Sequence, residues 1–147
     1  MEKRSRSWSW IVLAAAGIAV TGIGVYFIFL RPPLLPEDLR FLALPATQLD
    51  IVRPRLKLWL SHVFVVLGGY AVATGALTIA LAATSFRAKS RGAALGAAIG
   101  GTASIGLMTA VNFAIASDFK WVLLAIALLW TFSLGLFLWE TRSQRPR

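Results

Sequence analysis

The chain has 147 residues, 58% of them hydrophobic and 14% charged, with a formal net charge of +9 and no cysteine. A soluble domain of this size needs more polar residues to cover its surface, and the missing thiols exclude disulfides, thiolate metal sites and cysteine nucleophiles. The basic excess lies beside apolar runs, so the expected partners are membrane lipids with anionic headgroups, and not nucleic acid.

The charged residues cluster in short stretches, and four long uncharged runs lie between them. A hydrocarbon core about 30 Å thick needs roughly 20 helical residues, and each run supplies that length. The pattern predicts an all-α membrane protein: one transmembrane domain over 1–147, folded as a four-transmembrane-helix bundle. The spans are expected at 8–30, 56–86, 92–117 and 119–140.

The first run follows Lys3, Arg4 and Arg6, as a signal peptide does. Its apolar stretch exceeds the usual h-region of about 7–15 residues, and Ala14, Ala15 and Ala16 come too early for a cleavage site, so a retained helix is expected. The outer loop, 31–54, is punctuated by Pro32, Pro33, Pro36, Pro45 and Pro54. Pro36 followed by Glu37 and Asp38 reads as a helix start, with acids at the positive end of the dipole. Leu39, Phe41, Leu42 and Leu44 give that turn an apolar side. A second short helix is expected from Thr47, with Leu49, Ile51 and Val52 apolar. The two would lie on the membrane surface as a packed cap, or as a lid or docking surface.

Pro54 suits the first turn of the second span. That span, at 56–86, should tilt or project beyond the bilayer core. Asp118 reads as the N-cap of the fourth span. The link around Ser117 is so short that spans three and four must form an antiparallel hairpin. Lys3, Arg4, Arg6, Arg87, Lys89, Arg91, Arg142, Arg145 and Arg147 fall on the side of the termini, against Arg31, Arg40, Arg53, Arg55, Lys57 and Lys120 on the other. This bias puts the N- and C-termini in the cytoplasm. Trp8, Trp10, Trp59, Trp121 and Trp139 sit near span ends, where an indole N–H stays wet. Trp130, at mid-span, is expected to pack.

In lipid, helices associate through close van der Waals contact and interhelical hydrogen bonds. Gly92, Gly96, Gly100 and Ser104 form one row of small residues on the third span, and Ala93, Ala97 and Gly101 form another. The second span offers Gly68, Gly69, Ala73 and Gly75, and the first offers Gly17, Thr21 and Gly24. The third span is therefore expected at the centre, packed within the chain, with the fourth more exposed to lipid. The same glycine face would alternatively serve a homo-oligomer.

No Asp, Glu, Lys or Arg lies in the uncharged runs at the centres of the spans, such as Leu58–Phe86 and Trp121–Trp139, which argues against a proton-coupled exporter. His62 and Asn112 should lie at similar depth under the outer loop, and with Tyr70 they form a candidate polar pocket. The plainer reading is a wetted histidine and an asparagine bridging two helices. Arg87, Lys89 and Arg91 are candidates for lipid headgroups, or simply set topology. No acid–base pair, activated nucleophile or metal-ligand set points to an enzyme or to a cofactor.

The segment from Phe41 to Gly75 carries "PRLKLWLSH", followed by Gly68–Gly69. On Pro54, Arg55, Leu56, Ser61, His62, Gly68 and Gly69, and on its four spans, the chain resembles the DoxX-like bacterial four-helix membrane proteins. The resemblance implies a bacterial inner (plasma) membrane. Some DoxX members are linked to quinone or thiosulfate oxidation complexes, but no redox residue here carries that over. A non-enzymatic membrane component or accessory subunit is the expected function, with another membrane subunit or a second copy as partner. The alternative is a small-molecule or lipid carrier with a cavity between the second and third spans.

Overall fold

The computed structural model describes residues 7–43 and 46–143, with side chains for all of these except 46–52. Lys3, Arg4, Arg6, Leu44, Pro45, Arg145 and Arg147, and the side chains of Leu49, Ile51 and Val52, lie outside the described residues. Everything regular among the described residues is helical. Four helices are long and apolar enough to cross a membrane.

The first span is α1, Ser9–Phe29. A short helix, α2, follows at Pro36–Leu42. The Asp38 carboxylate accepts from the Leu35 amide at 2.9 Å, which occupies one of the amide groups left open at a helix start. Ala43, in the left-handed region at φ 48°, ends the helix.

The second span belongs to α3, Ala46–Leu81, which is 36 residues long and has Pro54 in its interior. Two short surface helices were expected in the loop; the second is instead the first part of α3, and Pro54 does not begin the helix. Proline removes one backbone hydrogen bond and crowds the preceding turn. Here it is exposed among Arg53, Arg55 and Lys57, at the polar end of the span. A freed carbonyl is most easily served by water there. A π turn, Ala82–Phe86, completes the span.

The third span is built from α4, Arg91–Gly101, a π turn at Thr102–Gly106 and α5, Leu107–Ala114. It stops short of the expected residue 117, because Ala116 turns into the left-handed region at φ 53°. The fourth span is α6, Lys120–Ser143. Asp118 does not cap it. The hydroxyl of buried Ser117 accepts from the Phe119 amide at 3.2 Å, while exposed Asp118 pairs with Arg40 at 3.2 Å.

The central element is α1, and not the third span. It packs along α3 and also against α6, while the third span packs mainly on α6. The fourth span is thus the inner neighbour of the third, the reverse of the expected order. Gly17 lies opposite Gly75, and Gly24 opposite Gly68. A Cβ at Gly24 would stand 2.6 Å from the Gly68 carbonyl oxygen and from the Val72 amide. At Gly75 it would stand 2.5 Å from the Gly17 oxygen. Such separations bring backbones close enough for Cα–H···O contacts.

Gly69, Gly96 and Gly100 face open space, and Gly92 meets only the Ser90 hydroxyl at 3.7 Å. Ser104 bonds back to the Gly100 carbonyl at 2.6 Å. Among the described residues, the first small-residue row of the third span therefore takes no part in packing between helices. The neighbouring row, with Ala93, Ala97 and Gly101, is buried. A Cβ at Gly101 would collide with the Trp130 indole, and Trp130 Nε1 donates to the Ala97 carbonyl at 2.9 Å. That hydrogen bond satisfies the one tryptophan placed at mid-span.

Candidate functional site

Polar groups gather at the two ends of the bundle. At the end that carries the termini, Ser7 and Ser9 at the start of α1 meet Lys89 from the turn between spans two and three, and Glu140 from α6. The Glu140 carboxylate accepts from the Trp8 amide at 2.7 Å, the Ser9 amide at 3.2 Å, the Ser9 hydroxyl at 2.6 Å and the Ser7 hydroxyl at 2.9 Å. These amides belong to the first turn of α1, so the carboxylate also faces the positive end of that helix. Lys89 is ion-paired with Glu140 and donates to Ser9 Oγ at 2.9 Å. Only 15% of the lysine side chain and 11% of the glutamate side chain are exposed.

Glu140 therefore lies inside the fourth helix, which runs on to Ser143, just past the uncharged run that ends at Trp139. Lys89, expected at lipid headgroups, is instead folded inward, with its backbone in the left-handed region at φ 60°. The contact of Ser9 with Lys89 does not make a nucleophile. Ser9 is fully buried, its hydroxyl donates to Glu140, and an ion-paired ammonium is no base. The arrangement ties three chain segments together.

Arg87 and Arg91 behave differently. Both are exposed; the Arg87 guanidinium stands 4.8 Å from the Trp10 ring centre. Arg91 and Arg142 together line a cleft of about 440 Å³ whose walls include Ala94, Phe137 and Leu138.

At the opposite end, α2 folds over the bundle. Arg31 anchors it, bonding Asp38 at 3.2 Å while its guanidinium lies 3.5 Å over the Phe64 ring. Beneath is a cavity of about 110 Å³ lined mainly by apolar side chains, among them Ile23, Tyr26 and Phe119, with Arg31, Glu37, Asp38, Asn112 and Ser117 as charged or polar neighbours. Glu37 is 4% exposed. Its Oε1 takes no hydrogen bond from the described residues.

Of the expected polar trio, only Asn112 lines this cavity. Its amide nitrogen donates to the Met108 carbonyl of its own helix at 2.9 Å. His62 is exposed and its Nδ1 lies 2.7 Å from the Leu58 carbonyl. Tyr70 is 71% exposed. Equal depth along two helices does not bring side chains together when they point from different faces. Glu37 and Glu140 were the groups missed. Glu140 had a sequence signal, as a lone acid closing an apolar run opposite a basic turn. The burial of Glu37 follows from how α2 folds back and had none.

Among the described residues, no group of three His, Asp or Glu side chains is placed to hold a metal ion. No protein-family model, curated protein or solved structure matches this chain.

Proposed function

We propose that this chain is an integral membrane protein of the bacterial inner membrane, with cytoplasmic termini, acting as a non-enzymatic component or accessory subunit that binds lipid and a second transmembrane helix. The observation that carries the reading is the uncovered small-residue face of the third span. Gly96 and Gly100 have open space above them, on a helix that packs on the rest of the bundle by its other side. In lipid such a face suits close helix association. Large apolar side chains also remain exposed along the helices, including Ile18 at 62%, Leu77 at 71% and Leu128 at 59%, as a hydrocarbon solvent favours.

The cleft of Arg91 and Arg142 adds a lipid partner: two guanidinium groups over an apolar wall fit an anionic headgroup with its acyl chain. The cleft beside α4 and α6 lends nothing to a carrier that works between the second and third spans; the cavity under α2 touches both, through Phe64 and Asn112, but is walled mainly by α1, α2 and the start of α6. The DoxX-like resemblance is compatible with this reading and adds only its architecture.

A photoreactive residue at position 96 tests the proposal in native membranes. The expected result is a covalent adduct with a second protein chain, a copy of this one or another subunit. The same residue at position 128 should yield none. Equal labelling at both positions, or none at 96, would overturn the docking role.

A further inference from the structure

We propose that the cavity under α2 binds a small alkylammonium group, with the Glu37 carboxylate as its counter-ion. A buried carboxylate is acceptor-only and is costly to leave without a donor. Glu37 is 4% exposed, and its Oε1 is without a donor among the described residues. Arg31, a cation on the wall of the same cavity, is already committed elsewhere. Arg31 is held by Asp38 at 3.2 Å, by the Pro32 carbonyl at 3.1 Å and by the Phe64 ring at 3.5 Å.

Asn112, another polar group on the cavity wall, points to the same chemistry. Asn112 gives its amide N–H to Met108, which leaves its carbonyl oxygen as an acceptor. Glu37 Oε1 and the Asn112 carbonyl oxygen are two acceptors that a donating ligand would serve, beside the Ser117 hydroxyl on the same wall. Arg31 and Asp38 also line the cavity and offset each other's charge as an ion pair, which leaves Glu37 as the uncompensated charge. Apart from Ser117 the remaining wall is apolar and includes the Tyr26 and Phe119 rings, whose centres lie 5.8 Å apart. A carboxylate beside aromatic rings is the setting in which an organic cation is preferred over a hydrated metal ion. The cavity, about 110 Å³, is smaller than the roughly 150 Å³ that holds benzene elsewhere, so the group that enters has only a few heavy atoms. A free amine or the ammonium headgroup of a zwitterionic phospholipid would supply it.

Thermal unfolding of the full chain in detergent tests this with two probes. Ethylammonium chloride is compared with sodium chloride at equal ionic strength, and phosphatidylethanolamine with phosphatidylglycerol. The expected result is a saturable rise in Tm with ethylammonium, with phosphatidylethanolamine, or with both, half-complete at roughly millimolar amine. The rise should vanish in Glu37→Gln. In Asn112→Leu, which leaves the carboxylate in place, the half-saturating concentration should rise about tenfold. A response to ethylammonium alone identifies a soluble amine, and a response to phosphatidylethanolamine alone identifies the headgroup. No rise beyond the controls, or an undiminished rise in both variants, would overturn the proposal.

Discussion

Gly24 and Gly75 leave no room for a methyl group, because the atoms they would meet are backbone of the facing helix. Flexible side chains can yield by a few tenths of an ångström; two packed helices cannot without separating. Gly24→Ala should therefore lower stability by about 1–3 kcal/mol, the range for overpacking. Gly96→Ala meets open space and should be neutral or stabilising by up to about 1 kcal/mol, as removal of a helical glycine usually is. Titration of both variants with a denaturing detergent, followed by loss of helical signal, checks the contrast; equal losses would contradict it. The chemistry of these glycines was legible in the sequence, but their partners were not. The third span has the richest rows of small residues, yet span one contributes the decisive pair. Gly17 and Gly24 share a seven-residue spacing with Gly68 and Gly75, and that matched spacing was the readable clue.

Among elements, the knot of Ser9, Lys89 and Glu140 fixes the ends of three spans at one level. A half-buried ion pair contributes little net stability, but breaking one leaves a charge poorly compensated. Glu140→Gln should cost about 1–3 kcal/mol, the range for leaving a charged hydrogen-bond partner of a half-buried pair unserved. The double variant Lys89→Met, Glu140→Leu should recover only part of that loss, because it removes both charges but also the acceptor of the Ser9 hydroxyl and of the Trp8 and Ser9 amides. A double-mutant cycle on thermal or detergent unfolding measures the coupling; strictly additive losses would mean that the pair does not interact. The knot was hidden from the sequence because charges were assigned by distance from the apolar runs. Helix α6 runs one turn past its apolar segment, and the turn at Lys89 folds its ammonium inward. The path of α3 through Pro54 was missed for a related reason. Proline reads as a boundary in a soluble helix, whereas a long helix leaving an apolar layer can carry it at its polar end.

At the scale of the whole molecule, spans two and four flank span one, and span three sits on the far side of span four. Four helices and their approximate limits were legible because charge and proline mark the ends of apolar runs. Their arrangement was not, since a run of hydrophobic residues specifies depth but not direction around the helix axis. The order places both polar ends where side chains from several spans converge: the ion-paired knot at the end of the termini, and the cavity of Glu37 and Asn112 at the other. It also leaves the Gly92–Gly100 face turned away from the packed side. Docking, lipid binding and the ammonium site all presuppose that these two ends lie on opposite sides of a bilayer.

The native chain has no cysteine, so single cysteines report position without background. Phe41 and Asp118 are exposed at one end, and Ala88 and Ser143 at the other. Cysteines at these four positions, challenged with a membrane-impermeant maleimide in sealed inverted and right-side-out vesicles, should divide into two pairs. Residues 41 and 118 should react from one side only, and 88 and 143 only from the other. Labelling of all four from the same side would contradict a chain that crosses the membrane four times.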